Sequence, residues 1–181
     1  MLIRTIIAAG IAVAAVTATG CGGDGEKEFA TPTYPFSFSY PSGWTLTRNA
    51  AFSFGSGTGE RSLSIALKEP NDQVTITQYK LRKTLPAGVN GNQREVDRVV
   101  ARLTAQAKGT ASESKAVSYG GIPGYEYVVE YEAADKTVLR NMLVFLFKGK
   151  DEFQVNCQSS PKNREELEKG CKQVLDTLKF S

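Results

Sequence analysis

Tyr34-Pro35-Phe36-Ser37-Phe38-Ser39-Tyr40-Pro41-Ser42-Gly43-Trp44 sets an aromatic ring at every second position through Tyr40, with Pro or Ser between. A period of two with aromatics on one side is a strand with one buried face. Pro41-Ser42-Gly43 then turns the chain, and Trp44 leads into a second strand near residues 45–47. The fold thus opens as an antiparallel pair with an aromatic core side.

Working outward, the same reading extends to the C-terminus. Residues 51–54 and 62–68 flank Gly55-Ser56-Gly57-Thr58-Gly59, which reads as a hairpin turn between strands. A phosphate-binding loop would need a helix after it, and strand-like sequence follows instead. Leu63, Ile65 and Leu67 alternate toward a core, and residues 74–79 form a further strand. Residues 92–108 change period: Val96, Val99, Val100, Leu103 and Ala107 make one helical stripe, with Arg94, Arg98 and Arg102 opposite. Three long strands follow at 124–132, 137–147 and 152–157. In the first, Tyr125, Tyr127, Val129 and Tyr131 face away from Glu126, Glu130 and Glu132. The second is apolar on both faces from Met142 to Phe147, as a central, doubly covered strand should be. Ser160-Pro161 is expected to open the last helix, whose stripe is Leu167, Cys171, Val174, Leu175 and Leu178.

Many antiparallel strands, one internal helix and one C-terminal helix make an α+β domain, an antiparallel β-sheet flanked by helices. The opening aromatic strand with its Pro-x-Gly-Trp turn resembles the start of PsbP/Mog1-like domains. Ile122-Pro123-Gly124-Tyr125, the long apolar strand and the closing helix ending Leu178-Lys179-Phe180 are similar as well. The resemblance covers about the whole domain and implies an α/β/α sandwich. It implies a family of binding and accessory proteins rather than one chemistry.

The N-terminus carries an address. Met1 to Gly20 has a short charged start, an apolar run and small residues before Cys21, the plan of a secretory signal. The apolar run is too short to span a bilayer, which takes roughly 20 residues. Ala18-Thr19-Gly20-Cys21 resembles a lipobox, with Ala18 where that motif favours Leu. The resemblance implies a lipoprotein signal peptide at 1–20 and a diacylglycerol-modified, palmitate-bearing Cys21 at the mature N-terminus. The expected product is anchored to the cell membrane and faces outside the cytoplasm. Residues 21–33 are read as a flexible tether rich in Gly and charge, and 34–181 as a single globular domain. The Gly20-Cys21-Gly22-Gly23 junction is similar to those of actinobacterial lipoproteins, and LpqN-type lipoproteins place a lipobox before a PsbP/Mog1-like domain.

Composition narrows the chemistry. The 181 residues include no His and three Cys, and 22 Lys+Arg against 19 Asp+Glu give +3. With Cys21 lipidated, Cys157 and Cys171 are left as a pair in an oxidising compartment, where a disulfide is the expected state. Both lie on core faces, so the bridge would staple the last helix to the sheet. Four-coordinate metal ligation lacks the ligands, and no metal or cofactor is expected. A Ser-His-Asp triad has no base. Ser112-Glu113-Ser114-Lys115 and Ser159-Ser160-Pro161-Lys162 fit S-x-x-K, without the companion motifs of penicillin-binding enzymes. Glu126, Glu130, Glu132 and Asp135 are read as a solvated sheet face. Arg94, Arg98 and Arg102 are candidate anion contacts, for lipid headgroups or wall polymers. Nucleic acid is not an expected partner outside the cytoplasm. A non-catalytic binding or accessory domain for an envelope protein or small ligand is the expected function. The alternatives are an envelope hydrolase using carboxylates or a Ser-Lys pair, and a structural protein contacting anionic surfaces through the arginine helix.

Overall fold

The computed structural model describes residues 25–48, 61–66, 71–81 and 92–181. The signal segment, Cys21, the expected strand at 51–54 and the Gly55–Gly59 turn lie outside the described residues. The strands are β1 (Glu26–Phe29), β2 (Phe36–Pro41), β3 (Thr45–Arg48), β4 (Arg61–Ala66) and β5 (Gln73–Lys80). Helix α1 (Gln93–Ala107) separates them from β6 (Thr110–Ala111), β7 (Lys115–Tyr119), β8 (Ile122–Glu132), β9 (Val138–Lys148) and β10 (Asp151–Ser159). Helix α2 (Arg164–Thr177) and β11 (Lys179–Phe180) close the chain.

A large antiparallel sheet runs β3-β4-β5-β10-β9-β8-β6, with β7 also paired to β8. A small sheet, β1-β2-β11, lies beside α2 over one face of it. The aromatic period of the second strand explains that layer. Phe36, Phe38 and Tyr40 are buried at alternate positions, and Phe36 meets Phe153 of β10 edge to face at 6.1 Å. The core on this side joins Leu63, Ile65, Val74, Ile76, Val144, Leu146 and Val155 to Leu167, Val174 and Leu175 of α2. On the other face α1 packs Val96 and Val100 against Tyr125, Tyr127, Val129, Leu143 and Phe145. The expected fold, an antiparallel sheet between helices, is the one found.

Two expectations need correction. Residues 26–29, read above as part of the flexible tether, form strand β1. Residues 26–29 pair with β2 in the register Glu26↔Pro41 to Phe29↔Phe38, and Phe29 is buried against Phe38 at 5.2 Å. The single buried aromatic and the backbone pairing hold this charged segment in the fold. The last helix begins at Arg164, with Asn163 before it, so Ser160 does not cap it. Asp72, 1% exposed, takes the Ser160 backbone N–H at 2.6 Å, the Ser160 hydroxyl at 2.9 Å and the Asn163 amide at 2.7 Å. A buried carboxylate needs such donors, and it claims the hydroxyl before the helix can.

Candidate functional site

The bridge between Cys157 of β10 and Cys171 of α2 is present, with Cα atoms 6.1 Å apart. It forms because residue 157 lies on the same face of β10 as Phe153 and Val155, toward α2. On this side of the sheet α2 leaves a groove of about 410 Å³ beside β8 and β9. Its floor is apolar: Val128 from β8, Met142 from β9, the disulfide, and Leu167 and Leu175 from α2. Strand register sets Val128 opposite Met142, and Met142 opposite Cys157, so the floor crosses three strands.

The rim is charged, and its charges pair among themselves. At one end Arg140 of β9 reaches Glu130 at 3.4 Å and Glu168 of α2 at 3.4 Å, tying sheet to helix. At the other, the Tyr119 hydroxyl donates to Glu126 at 3.2 Å, and Lys115 stands 3.7 Å from the same carboxylate. Along α2, Lys172 pairs with Asp176. Burial, then the neighbouring Glu126 carboxylate that accepts its hydrogen bond, then Asp176 push the Tyr119 hydroxyl up to about 12. Tyr119 therefore stays protonated and serves as a donor at the groove mouth. Such a site suits an apolar body whose ends meet polar groups.

The glutamates expected on one solvated face divide. Glu126 has a side chain only 15% exposed and lines the groove, because β7 and Tyr119 fold over it. Glu130 stands at the groove's edge through Arg140, and Glu132 pairs with Lys136 at 2.7 Å. Asp135 instead accepts the Thr137 backbone N–H at 3.0 Å and holds the β8–β9 turn. No group of three or more Cys, Asp or Glu side chains stands together as a metal site among the described residues.

The leading serines of both S-x-x-K matches are engaged in bonds to the backbone. Ser112 donates to the Glu113 carbonyl and accepts the Val128 N–H at 3.0 Å, bracing the sheet edge, while Lys115 turns to Glu126. Ser159 donates to the Arg140 carbonyl at 3.3 Å. Arg94, Arg98 and Arg102 share an exposed face of α1. Arg98 is paired there with Glu95 at 3.0 Å. That helix lies on the side of the sheet away from the groove, so the arginines take no part in it.

Sequence reasoning did not find the groove. Its floor residues occur as single members of otherwise ordinary apolar stripes, and they are left uncovered because α2 packs over β2, β10 and β5 rather than over β8 and β9.

No protein-family model matches the chain, and no curated protein matches it in sequence. Its fold is similar to solved structures. Cyanobacterial PsbP (CyanoP) from Synechocystis sp. has 12% identity and a TM-score of 0.56, over 92% of this chain and 99% of that one. LpqN of Mycobacterium tuberculosis, a protein involved in cell envelope biogenesis, has 12% identity and a TM-score of 0.50, over 86% of this chain and 91% of that one. A crystal structure from Bacteroides thetaiotaomicron matches at 16% identity and a TM-score of 0.52, over 86% of this chain. The matched chain spans about half of that protein, 48% of its length. These likenesses establish a PsbP-like fold.

Proposed function

We propose that this protein is a lipoprotein anchored through Cys21 to the outer side of the cell membrane, where it acts as a non-catalytic binding or accessory domain. Its working surface is the groove between α2 and strands β8 and β9, which receives an apolar segment of an envelope protein or a small apolar ligand. The observation that carries this reading is the groove itself: an apolar floor of about 410 Å³ whose rim charges are already partnered. A charged ligand would have to displace those pairs, whereas an apolar one leaves them in place. The LpqN likeness supports an envelope setting by analogy of fold.

The early start of β1 bears on this role. Only residues 22–25 separate Cys21 from Glu26, and five residue steps reach at most about 17 Å. The domain is therefore held close to the anchor, and its partner has to be met at the membrane surface.

The test uses the full-length protein in its own membrane. A photoreactive residue at Met142 is expected to give discrete crosslinked species, whereas the same residue at Arg98 on α1 gives none. Val128→Trp, which fills the floor, removes the Met142 products. Equal crosslinking from both positions would refute the groove as the working surface. Cys21→Ala is expected to release the protein from the membrane fraction; retention there would refute the anchor.

A further inference from the structure

On the flank of α2 away from the groove, a cavity of about 430 Å³ opens between the helix and the turn that joins β2 to β3. Pro41 and Trp44 form its apolar wall, and it shares no residue with the groove. The indole is 4% exposed and lies against Gly170 of α2, where even a methyl group would overlap it. The missing side chain at 170 thus seats the ring on the helix beside the cavity.

The first described residues are held at this same place. Gly25 lines the cavity, and its carbonyl accepts the Ser42 backbone N–H at 2.7 Å. Next to it, the Glu26 carboxylate accepts a hydrogen bond from Gln173 of α2 at 3.1 Å. Cys21 is four residue steps from Gly25, at most about 14 Å of extended chain. With Cys21 as the membrane anchor, the reading on which this inference rests, the bilayer surface stands within that reach of the cavity.

The lip of the cavity carries two charges of opposite sign. Glu166 and Lys169 both line it, three positions apart on α2. Neither has an ion pair or a side-chain hydrogen bond among the described residues. At the groove, by contrast, Glu168 is paired with Arg140 and Lys172 with Asp176. Residues at this helical spacing have Cβ atoms about 5–6 Å apart, so both side chains can engage one small ligand.

We propose that this cavity is a docking site for the membrane surface and takes the zwitterionic phosphoethanolamine headgroup of a bilayer lipid. The phosphate meets Lys169, and the ammonium, a two-carbon bridge away, donates to Glu166. The indole and the proline ring cover the carbons of the headgroup and of the adjoining glycerol, as tryptophan does at bilayer interfaces. A purely anionic headgroup would meet Lys169 but would set like charge against Glu166. Docking here turns the pole that bears Gly25 and the β2–β3 turn toward the membrane.

The test uses full-length, lipidated protein in vesicles rich in phosphatidylethanolamine or made of phosphatidylglycerol, each with a lipid that carries a nitroxide at its headgroup. Trp44 is the single tryptophan, so nitroxide quenching reports how close this cavity comes to the bilayer surface. Trp44 emission is expected to fall at least twofold in the phosphatidylethanolamine vesicles. The Glu166→Ala, Lys169→Ala variant is expected to lose more than half of that quenching and still to float with the vesicles, since the lipid on Cys21 holds it there. Both positions are exposed and alanine favours a helix, so the fold is kept. Protein that floats with Trp44 unquenched would overturn the docking and leave the anchor standing. Protein that does not float would refute the anchor and the docking together. Quenching untouched by the double variant would overturn the cavity as the contact, and equal quenching in phosphatidylglycerol would overturn the zwitterionic class.

Discussion

Replacing Glu152 with glutamine is expected to stabilise the domain at pH 8 and to change it little at pH 4.5. Glu152 stands in β10 between Tyr79 of β5 and Phe147 of β9. Those neighbours strip water from its carboxyl, and this desolvation raises its pKa from 4.5 to about 7. The Tyr79 hydroxyl is raised too, first by burial and then by the Glu152 charge. For an acid whose folded pKa lies above its unfolded value, the folded state holds more protons between the two. Stability is then fullest below about pH 4.5 and is lost as pH rises through about 7. At about 1.36 kcal/mol per pKa unit, ionising Glu152 in the folded protein costs about 3 kcal/mol at pH 8. Glutamine keeps the shape of the neutral acid and removes that cost. For a domain of this size the gain is a melting temperature higher by about 6–12 °C at pH 8. Thermal unfolding followed by circular dichroism at pH 4.5, 6 and 8 measures it. An increase of the same size at every pH, or a loss at pH 8, would show that desolvation of Glu152 is not the source.

Other expectations follow from the packing. The Cys157→Ser, Cys171→Ser variant loses a cross-link between positions 14 apart and with it about 3 kcal/mol, read as a lower midpoint in urea. Gly170 of α2 has no room for a methyl group, since a Cβ there would overlap the Trp44 indole. Gly170→Ala is expected to cost about 1–3 kcal/mol and to shift the emission of the single tryptophan; a silent substitution would mean that Trp44 lies elsewhere. Asp72→Ala removes the acceptor of three bonds to Ser160 and Asn163. Its expected cost is about 2–4 kcal/mol, since buried donors are left unpaired, and amide exchange at the start of α2 should quicken with it. The Arg94→Glu, Arg98→Glu, Arg102→Glu variant is expected to leave groove crosslinking at Met142 unchanged, because α1 covers the opposite face; loss of those products would assign the arginines a part in partner binding.

Much of the fold was legible in the chain because each long element carries its own period. The aromatic alternation from Tyr34 to Tyr40 gave β2 its buried face, and the stripe through Leu167, Cys171 and Leu175 gave α2 its core side. The disulfide followed, since both cysteines sit on faces that periodicity alone identifies. Glu26–Phe29 was not legible, because a charged segment with one aromatic earns its place only by pairing with β2. The short strands β6 and β7 are in the same position: largely exposed, they owe their form to the edge of β8.

The candidate sites divide along the same line. Glu126 was visible as an alternate member of a strand, yet its burial beside Tyr119 depends on how β7 folds over β8. Period two alone sends Gln154 and Asn156 to solvent, as it does for any polar residue opposite an apolar one. Their burial belongs to the assembled layers and cannot be read from the pattern of β10.

By itself the sequence determined the antiparallel α+β plan, the facing of each long element and the partner of each core cysteine. These are local properties, set by side-chain spacing along one strand or helix. Only the tertiary structure decided which polar residues lie inside, where α2 leaves the groove, and that residues 26–29 pair with β2. Those depend on contacts between segments distant in sequence, and burial belongs to the assembled layers, not to any one strand.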